Sequence, residues 1–196
     1  SLGYNGYSLL LTGKDENNNR FPIYIDMFGD QRPSGYHYLT ILPIKFFGLS
    51  EFSVRLPGAL FGGFTILAFF FLILVIFQDK KVSLLGSLLL AVAPWHVVLS
   101  RASSETMVAL FFIILGIAFF IKSIRKNSMR LTYIATIFLS MSYFFYHTPR
   151  VFVPLFFFGL IIYVGAKKFV QKRFVYRLFG LLLFLVLLGI SLVFAV

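Results

Sequence analysis

The densest group of reactive side chains is the stretch Pro94-Trp95-His96-Val97-Val98-Leu99-Ser100-Arg101-Ala102-Ser103-Ser104-Glu105. Pro94 interrupts an otherwise apolar run, where it should kink or end a helix. His96, Arg101 and Glu105 follow within ten residues. Arg101 and Glu105 are four apart, so a continuous helix would let them pair. They read either as a structural ion pair or as an anion-binding arginine beside an acid that orients a substrate or metal. A second group is Tyr146-His147-Thr148-Pro149-Arg150. Arg150 precedes an apolar run, and a cation at a helix N-terminus is disfavoured by the helix dipole. Its presence there points either to an anionic partner, Glu105 or a phosphate, or to a guanidinium reaching the lipid headgroups.

Other candidates are weaker one by one. Asp15-Glu16 is a carboxylate pair in a polar loop, a common solvated arrangement. Asp30 lies between Gly29 and Gln31-Arg32-Pro33, a turn-like context with a basic neighbour. His37 reads best as an interfacial histidine hydrogen-bonded to backbone. Glu105 with Asp15 or Asp30 could offer oxygen ligands to a divalent cation, but no spacing demands one. Cysteine is absent, which excludes a disulfide framework and thiolate chemistry. The chain carries no Ser-His-Asp order, no glycine-rich phosphate loop and no metal-spaced histidine cluster.

The elements that must position these residues are apolar. The chain is 59% hydrophobic with mean hydropathy +0.90 and 27 phenylalanines. A soluble domain of this size could not keep so much apolar surface from water. Runs long enough to approach a membrane helix of roughly 20 residues are Leu56–Phe77, Val82–Leu99, Met107–Ile121, Leu131–Tyr146 and Val151–Ala166. A sixth, Leu178–Val196, reaches the end of the sequence. The third to fifth are short, so their polar flanks should be drawn into the helix ends. Gly35–Gly48, with Pro43 inside, suits an interfacial or re-entrant segment. Leu2–Leu11 reads as a short helix, closed by Thr12-Gly13 and followed by a polar loop at Lys14–Arg20. Gly62-Gly63 sits within a membrane run, where small residues serve close packing.

The connections alternate in charge. Gln78–Lys81, Lys122–Arg130 and Lys167–Arg177 hold 2, 4 and 5 Lys/Arg with Asp79 as their one acid. The other set, the segment up to Arg55 with the Ser100–Glu105 and His147–Arg150 turns, holds 7 Lys/Arg against 6 acids. Nearly all of the +11 formal charge therefore lies on one side, which the positive-inside rule assigns to the cytoplasm. Nucleic-acid binding is not needed to explain it. The expected architecture is an all-α polytopic membrane protein: residues 1–55 form an outer-face loop with short interfacial helices, and residues 56–196 a bundle of about six helices, the last incomplete. All three histidines and six of the seven acids then share the outer face. Starting at Ser1 and ending inside an apolar run, the chain reads as a piece of a longer protein.

Four stretches carry a resemblance. They are Gly3-Tyr4-Asn5-Gly6-Tyr7-Ser8-Leu9-Leu10 with Thr12-Gly13-Lys14-Asp15-Glu16; Phe28-Gly29-Asp30 with Pro33 and Tyr36-His37-Tyr38-Leu39; Phe47-Gly48-Leu49-Ser50-Glu51-Phe52-Ser53-Val54-Arg55-Leu56-Pro57-Gly58-Ala59-Leu60-Phe61-Gly62, the most specific; and Pro94-Trp95-His96 to Ser100-Arg101 with Tyr146-His147 and Arg150-Val151-Phe152-Val153-Pro154. They resemble membrane glycosyltransferases of the C-type fold (GT-C), among them the bacterial relatives of protein O-mannosyltransferases and of the lipid A aminoarabinose transferase. The resemblance implies a GT-C-type transmembrane bundle and a hexosyl or pentosyl transferase. Such an enzyme uses a polyprenyl-phosphate sugar as donor on the outer face of a bacterial or archaeal plasma membrane. It places an Asp-Glu pair, whose Asp is the catalytic base, just ahead of the stretch matching Ser1–Asn5, so these residues alone are expected to be inactive. Asp15-Glu16 is not that pair. Glu105 falls where relatives carry a second outer acid, usually Asp, and is the catalytic candidate within this sequence. Asp15, Glu16, Asp30, His96, Arg101, Tyr146, His147 and Arg150 are the substrate-binding candidates, Arg101 and Arg150 for the leaving lipid phosphate.

Two other classes compete. A transporter would place ionisable groups deep within its helices, whereas these helix interiors are almost free of charge. A non-catalytic scaffold of the same fold would lack the upstream Asp. The sequence leaves the sugar, the acceptor (protein, lipid A, cell-wall polymer or other glycolipid) and any need for a metal open.

Overall fold

The computed structural model describes residues 2–27, 29–166 and 172–194. In chain order its elements are α1 (Leu2–Thr12), β1 (Tyr24–Met27), β2 (Asp30–Pro33), α2 (Gly35–Phe47), α3 (Glu51–Phe77), α4 (Lys80–Val92), α5 (Pro94–Arg101), α6 (Glu105–Arg125), α7 (Met129–Ser142), α8 (Pro149–Ala166) and α9 (Lys172–Phe194). As expected, polar flanks are drawn into helix ends: α6 and α8 both extend beyond their apolar runs. One expectation is corrected. The first 55 residues are not all helical, because β1 and β2 form an antiparallel hairpin pairing Tyr24 with Pro33 and Met27 with Asp30. Gly29, at φ +80°, supplies the left-handed position such a tight turn needs.

Local chemistry explains the helix limits. Ser50 caps α3 by accepting the Ser53 N–H at 3.2 Å, and Glu51 follows in the first turn, where the dipole favours an acid. Asp79, the one acid among the basic connections, caps α4 by accepting the Lys81 N–H at 2.7 Å and the Val82 N–H at 3.3 Å. Pro94 ends α4 and begins α5, and the two helices are bent by 60°. Two helices, α3 and α6, are each long and apolar enough to cross a membrane, and the bent α4–α5 pair makes a third such candidate among the described residues. Shorter apolar helices cover Pro149–Leu160 and Phe179–Leu192. The expected run to Tyr146 stops early, because α7 ends at Ser142 and the chain turns through residues 143–146.

α3 is the hub and packs on α2, α4, α5 and α6; α6 also packs on α7, and α8 on α9. Between helices in lipid the drive comes from close packing rather than escape from water. That places the premium on Gly58 and Gly62, four apart on one face of α3. A Cβ on Gly58 would lie 2.7 Å from the Ala102 carbonyl oxygen, and one on Gly62 would lie 2.5 Å from Ser100 Oγ. Gly63, read from the sequence as an equal partner, has open space beside it. The two glycines therefore let the end of α5 and the turn into α6 seat against α3. One core cluster gathers Phe120, Leu139, Tyr143, Val153, Phe157 and Leu185; a second gathers Tyr36, Val108, Phe112 and Phe145 beneath the hairpin end.

Candidate functional site

Strand β2 supplies the first wall. Side chains two apart on a strand share a face, so Asp30 and Arg32 stand side by side. Arg32 Nε donates to Asp30 Oδ2 at 2.9 Å, and this bond holds the guanidinium above its ordinary pKa. Arg32 Nη1 reaches across to Glu105 Oε1 at 3.4 Å.

The turn from α5 to α6 supplies the second wall. Tyr36 of α2 fixes its backing: the phenol donates to the Val54 carbonyl at 2.9 Å and accepts the Gly58 N–H at 3.2 Å. Burial pushes that phenol up to about 12, which keeps it protonated as the donor this link requires. Residues 102–104 break the helix, and Glu105 opens α6, where its charge suits the dipole. Its side chain is only 10% exposed, and its second oxygen, Oε2, is buried with no partner among the described residues.

The turn between α7 and α8 supplies the third wall. The Gly35 N–H donates to the Phe144 carbonyl at 3.1 Å and docks the start of α2 on this turn. His147 Nε2 lies 2.7 Å from the Gln31 carbonyl oxygen, and its ring stacks on Tyr24 at 6.4 Å. Together the three walls enclose a cavity of about 370 Å³. It is lined by Asp30 and Arg32, by Leu99 and the Ala102–Thr106 turn, and by Tyr146, His147 and Thr148. Its groups are two carboxylates, one guanidinium, one imidazole and the hydroxyls of Ser103, Ser104, Thr106, Tyr146 and Thr148. Hydroxyls and carboxylates around a cationic fork suit a polyhydroxylated ligand bearing an anion.

Of the sequence candidates, Glu105, Asp30, Tyr146 and His147 come together here. The others lie elsewhere. Asp15 is buried and organises its own loop: Oδ1 accepts the Asn17 N–H at 2.9 Å and the Asn19 N–H at 2.8 Å, and Oδ2 accepts Asn19 Nδ2 at 3.0 Å. Glu16 is held to α1, its N–H donating to Asn5 Oδ1 at 3.0 Å and its Oε1 accepting Asn5 Nδ2 at 3.2 Å. His96 is buried at the start of α5, edge-on to Trp95, and does not line the cavity. Arg101 is exposed at the end of α5. Its pairing with Glu105 does not form, because the chain leaves helical geometry between them. Arg150 lies over the Tyr24 ring at 5.1 Å and donates through Nη2 to the Tyr143 carbonyl at 3.0 Å. Tyr24 in turn donates to the Leu192 carbonyl at 2.6 Å, so this arginine pins the hairpin to α8 and α9. His37 is fully buried and does not line the cavity; burial lowers its pKa to about 4.

The central cation, Arg32, is the residue sequence reasoning missed. The signal was the alternation through Asp30-Gln31-Arg32, legible only once the segment is read as a strand. Among the described residues no group of three or more His, Asp or Glu side chains is arranged to hold a metal ion. Asp15, considered as a ligand partner of Glu105, is committed to its loop.

A family model described as dolichyl-phosphate-mannose-protein mannosyltransferase matches residues 31–193. The match covers Arg32, Glu105, Tyr146 and His147 and leaves Asp15, Glu16 and Asp30 outside. No curated protein and no solved structure matches the chain.

Proposed function

We propose that this chain, which belongs to the dolichyl-phosphate-mannose-protein mannosyltransferase family, transfers a sugar from a polyprenyl-phosphate donor to an acceptor at the non-cytoplasmic face of a membrane. Family membership carries the broader part, a membrane glycosyltransferase. The observation that carries the rest is Glu105: a buried carboxylate with one oxygen on Arg32 and the other unpartnered among the described residues, in a hydroxyl-lined cavity at the top of apolar helices. The charge asymmetry supports the outer face, since the cavity lies opposite the basic connections.

In this reading the acceptor O–H or N–H gives its proton to a carboxylate as its heteroatom attacks the anomeric carbon. The bond from that carbon to the phosphate oxygen breaks, and the lipid phosphate leaves with the electron pair. Arg32 faces the growing negative charge, a role expected of Arg101 and Arg150 from sequence; neither lines the cavity. A guanidinium poised between two carboxylates can exchange one of them for phosphate without losing its remaining bond. Glu105 holds a hydroxyl of donor or acceptor through Oε2, and the serine and threonine hydroxyls take the others.

The test is transfer of a labelled sugar from polyprenyl phosphate by the full-length protein in liposomes. Arg32→Ala should lower kcat/KM at least 100-fold and Arg32→Lys less, as expected when a charge-stabilising donor is removed. Wild-type rates in Arg32→Ala and Glu105→Gln would sink the assignment.

A further inference from the structure

A second concave surface lies away from this site. A groove of about 1070 Å³ runs between α7 and α9 and, among the described residues, has no acid, base or histidine in its lining. One wall is the α7 ridge Met129, Tyr133, Ile137 and Met141, spaced by four and all exposed; Leu181 and Phe184 of α9 face it. We propose that this groove binds an anionic glycerophospholipid drawn from the leaflet at the basic end of the bundle. The proposal rests on the chain spanning a bilayer and is independent of the transfer reaction.

Charge decides the headgroup. The groove opens at Asn127 and Met129, within the connection that carries Lys122, Arg125, Lys126 and Arg130 and no acid. Two of these cations have structural work. Lys122 lies over the Phe71 ring at 4.9 Å, and Arg125 donates to the Ile76 carbonyl at 2.8 Å. Lys126 and Arg130 are exposed, flank the mouth and form no ion pair among the described residues. Asp79, the nearby acid of the adjoining connection, is occupied as the α4 cap. A cluster of unpaired cations at the edge of an apolar helix attracts anionic headgroups at about 1 kcal/mol per charge, or roughly fivefold in affinity.

The walls decide the tail. Thr132, Thr136 and Ser140 line the groove beside this ridge, which is bulky and ends in flexible methionines that adapt to a mobile chain. Tyr133, one turn from the mouth, has the amphipathic ring favoured at headgroup depth. From Met129 to Met141 the groove follows about 18 Å of helix, enough to take an acyl chain through the roughly 15 Å of one leaflet's hydrocarbon.

Native mass spectrometry of the full-length protein in detergent, titrated with phosphatidylglycerol or phosphatidylcholine, tests this. Phosphatidylglycerol should bind about 25-fold more tightly, roughly fivefold for each of the two unpaired cations. The double variant Lys126→Gln/Arg130→Gln should lose about 25-fold of that affinity, at roughly fivefold per charge, and leave phosphatidylcholine binding unchanged. A benzophenone side chain at Tyr133, in an otherwise native chain in phosphatidylglycerol-containing vesicles, should capture lipid on irradiation. Equal binding of the two lipids, or a Tyr133 cross-link to protein or to the polyprenyl chain, would overturn the proposal.

Discussion

Asp15-Glu16 and Asp30 with Glu105 are the two acidic pairs of the hairpin end, and they have opposite designs. The first pair is adjacent in sequence and inward-looking. Asp15 spends both oxygens on its own turn, and Glu16 exchanges two hydrogen bonds with Asn5 of α1. The second pair is remote in sequence and joined only through Arg32, with one buried carboxylate oxygen left over. A carboxylate whose acceptor sites are filled by its own backbone stabilises a loop. One that is buried, paired through a single oxygen and set in a cavity is available to a ligand. Adjacency in sequence is therefore the weaker guide to chemistry here.

Substitutions can break that contrast in order of expected effect. Glu105→Gln keeps the shape and removes the charge, and should cost about 10- to 100-fold in transfer rate, the loss of one charge-assisted hydrogen bond to the substrate, while the thermal midpoint stays within a few degrees. Asp15→Ala should do the reverse. Losing three bonds to a buried charged acceptor should cost about 2–3 kcal/mol of stability, read as a lower melting temperature in detergent, with kcat of the folded fraction retained. Asp30→Asn, at an exposed position, should change stability by less than about 1 kcal/mol and should raise KM more than it lowers kcat, because it loosens Arg32 without removing it.

His37 sharpens the contrast from the side of a neutral group. Its pKa in the folded state is about 4 because of burial, against an ordinary 6.5, so the unfolded chain binds the proton more readily. Its contribution to stability is then full above about pH 6.5 and is lost as pH falls towards 4. Between pH 7 and 5 that amounts to about 2 kcal/mol. His37→Gln should flatten the melting-temperature profile over this window, and an unchanged acid-side slope would refute the linkage.

The helices, including the one that starts at Gly35, the break at Pro94 and the polar loop at Lys14–Arg20 were legible because hydrophobic period, proline and turn residues act locally. Glu105, which lines the cavity, was legible as a candidate through its place in a turn and through the family resemblance. Arg32 was not, because attention to arginines at the edges of apolar helices favoured Arg101 and Arg150. Arg101 loses Glu105 when Ala102–Ser104 leave the helix. Arg150 finds its partners in an aromatic ring and a carbonyl rather than an anion. The hairpin that turns Asp30 and Arg32 to one side is only four residues per strand, too short for a periodic signal. The contacts that seat it, from Tyr24 to Leu192 and from His147 to Gln31, are tertiary.

The central claim, that Arg32 and Glu105 form one sugar-phosphate site, is tested most directly by a double-substitution cycle on kcat/KM. The full-length protein would be assayed in liposomes with a labelled polyprenyl-phosphate sugar, comparing Arg32→Ala, Glu105→Gln and the double variant. Groups that act as a unit are not additive. The predicted result is a double variant no more than about tenfold slower than the worse single one. Effects of the two substitutions that multiply in full would contradict a shared site.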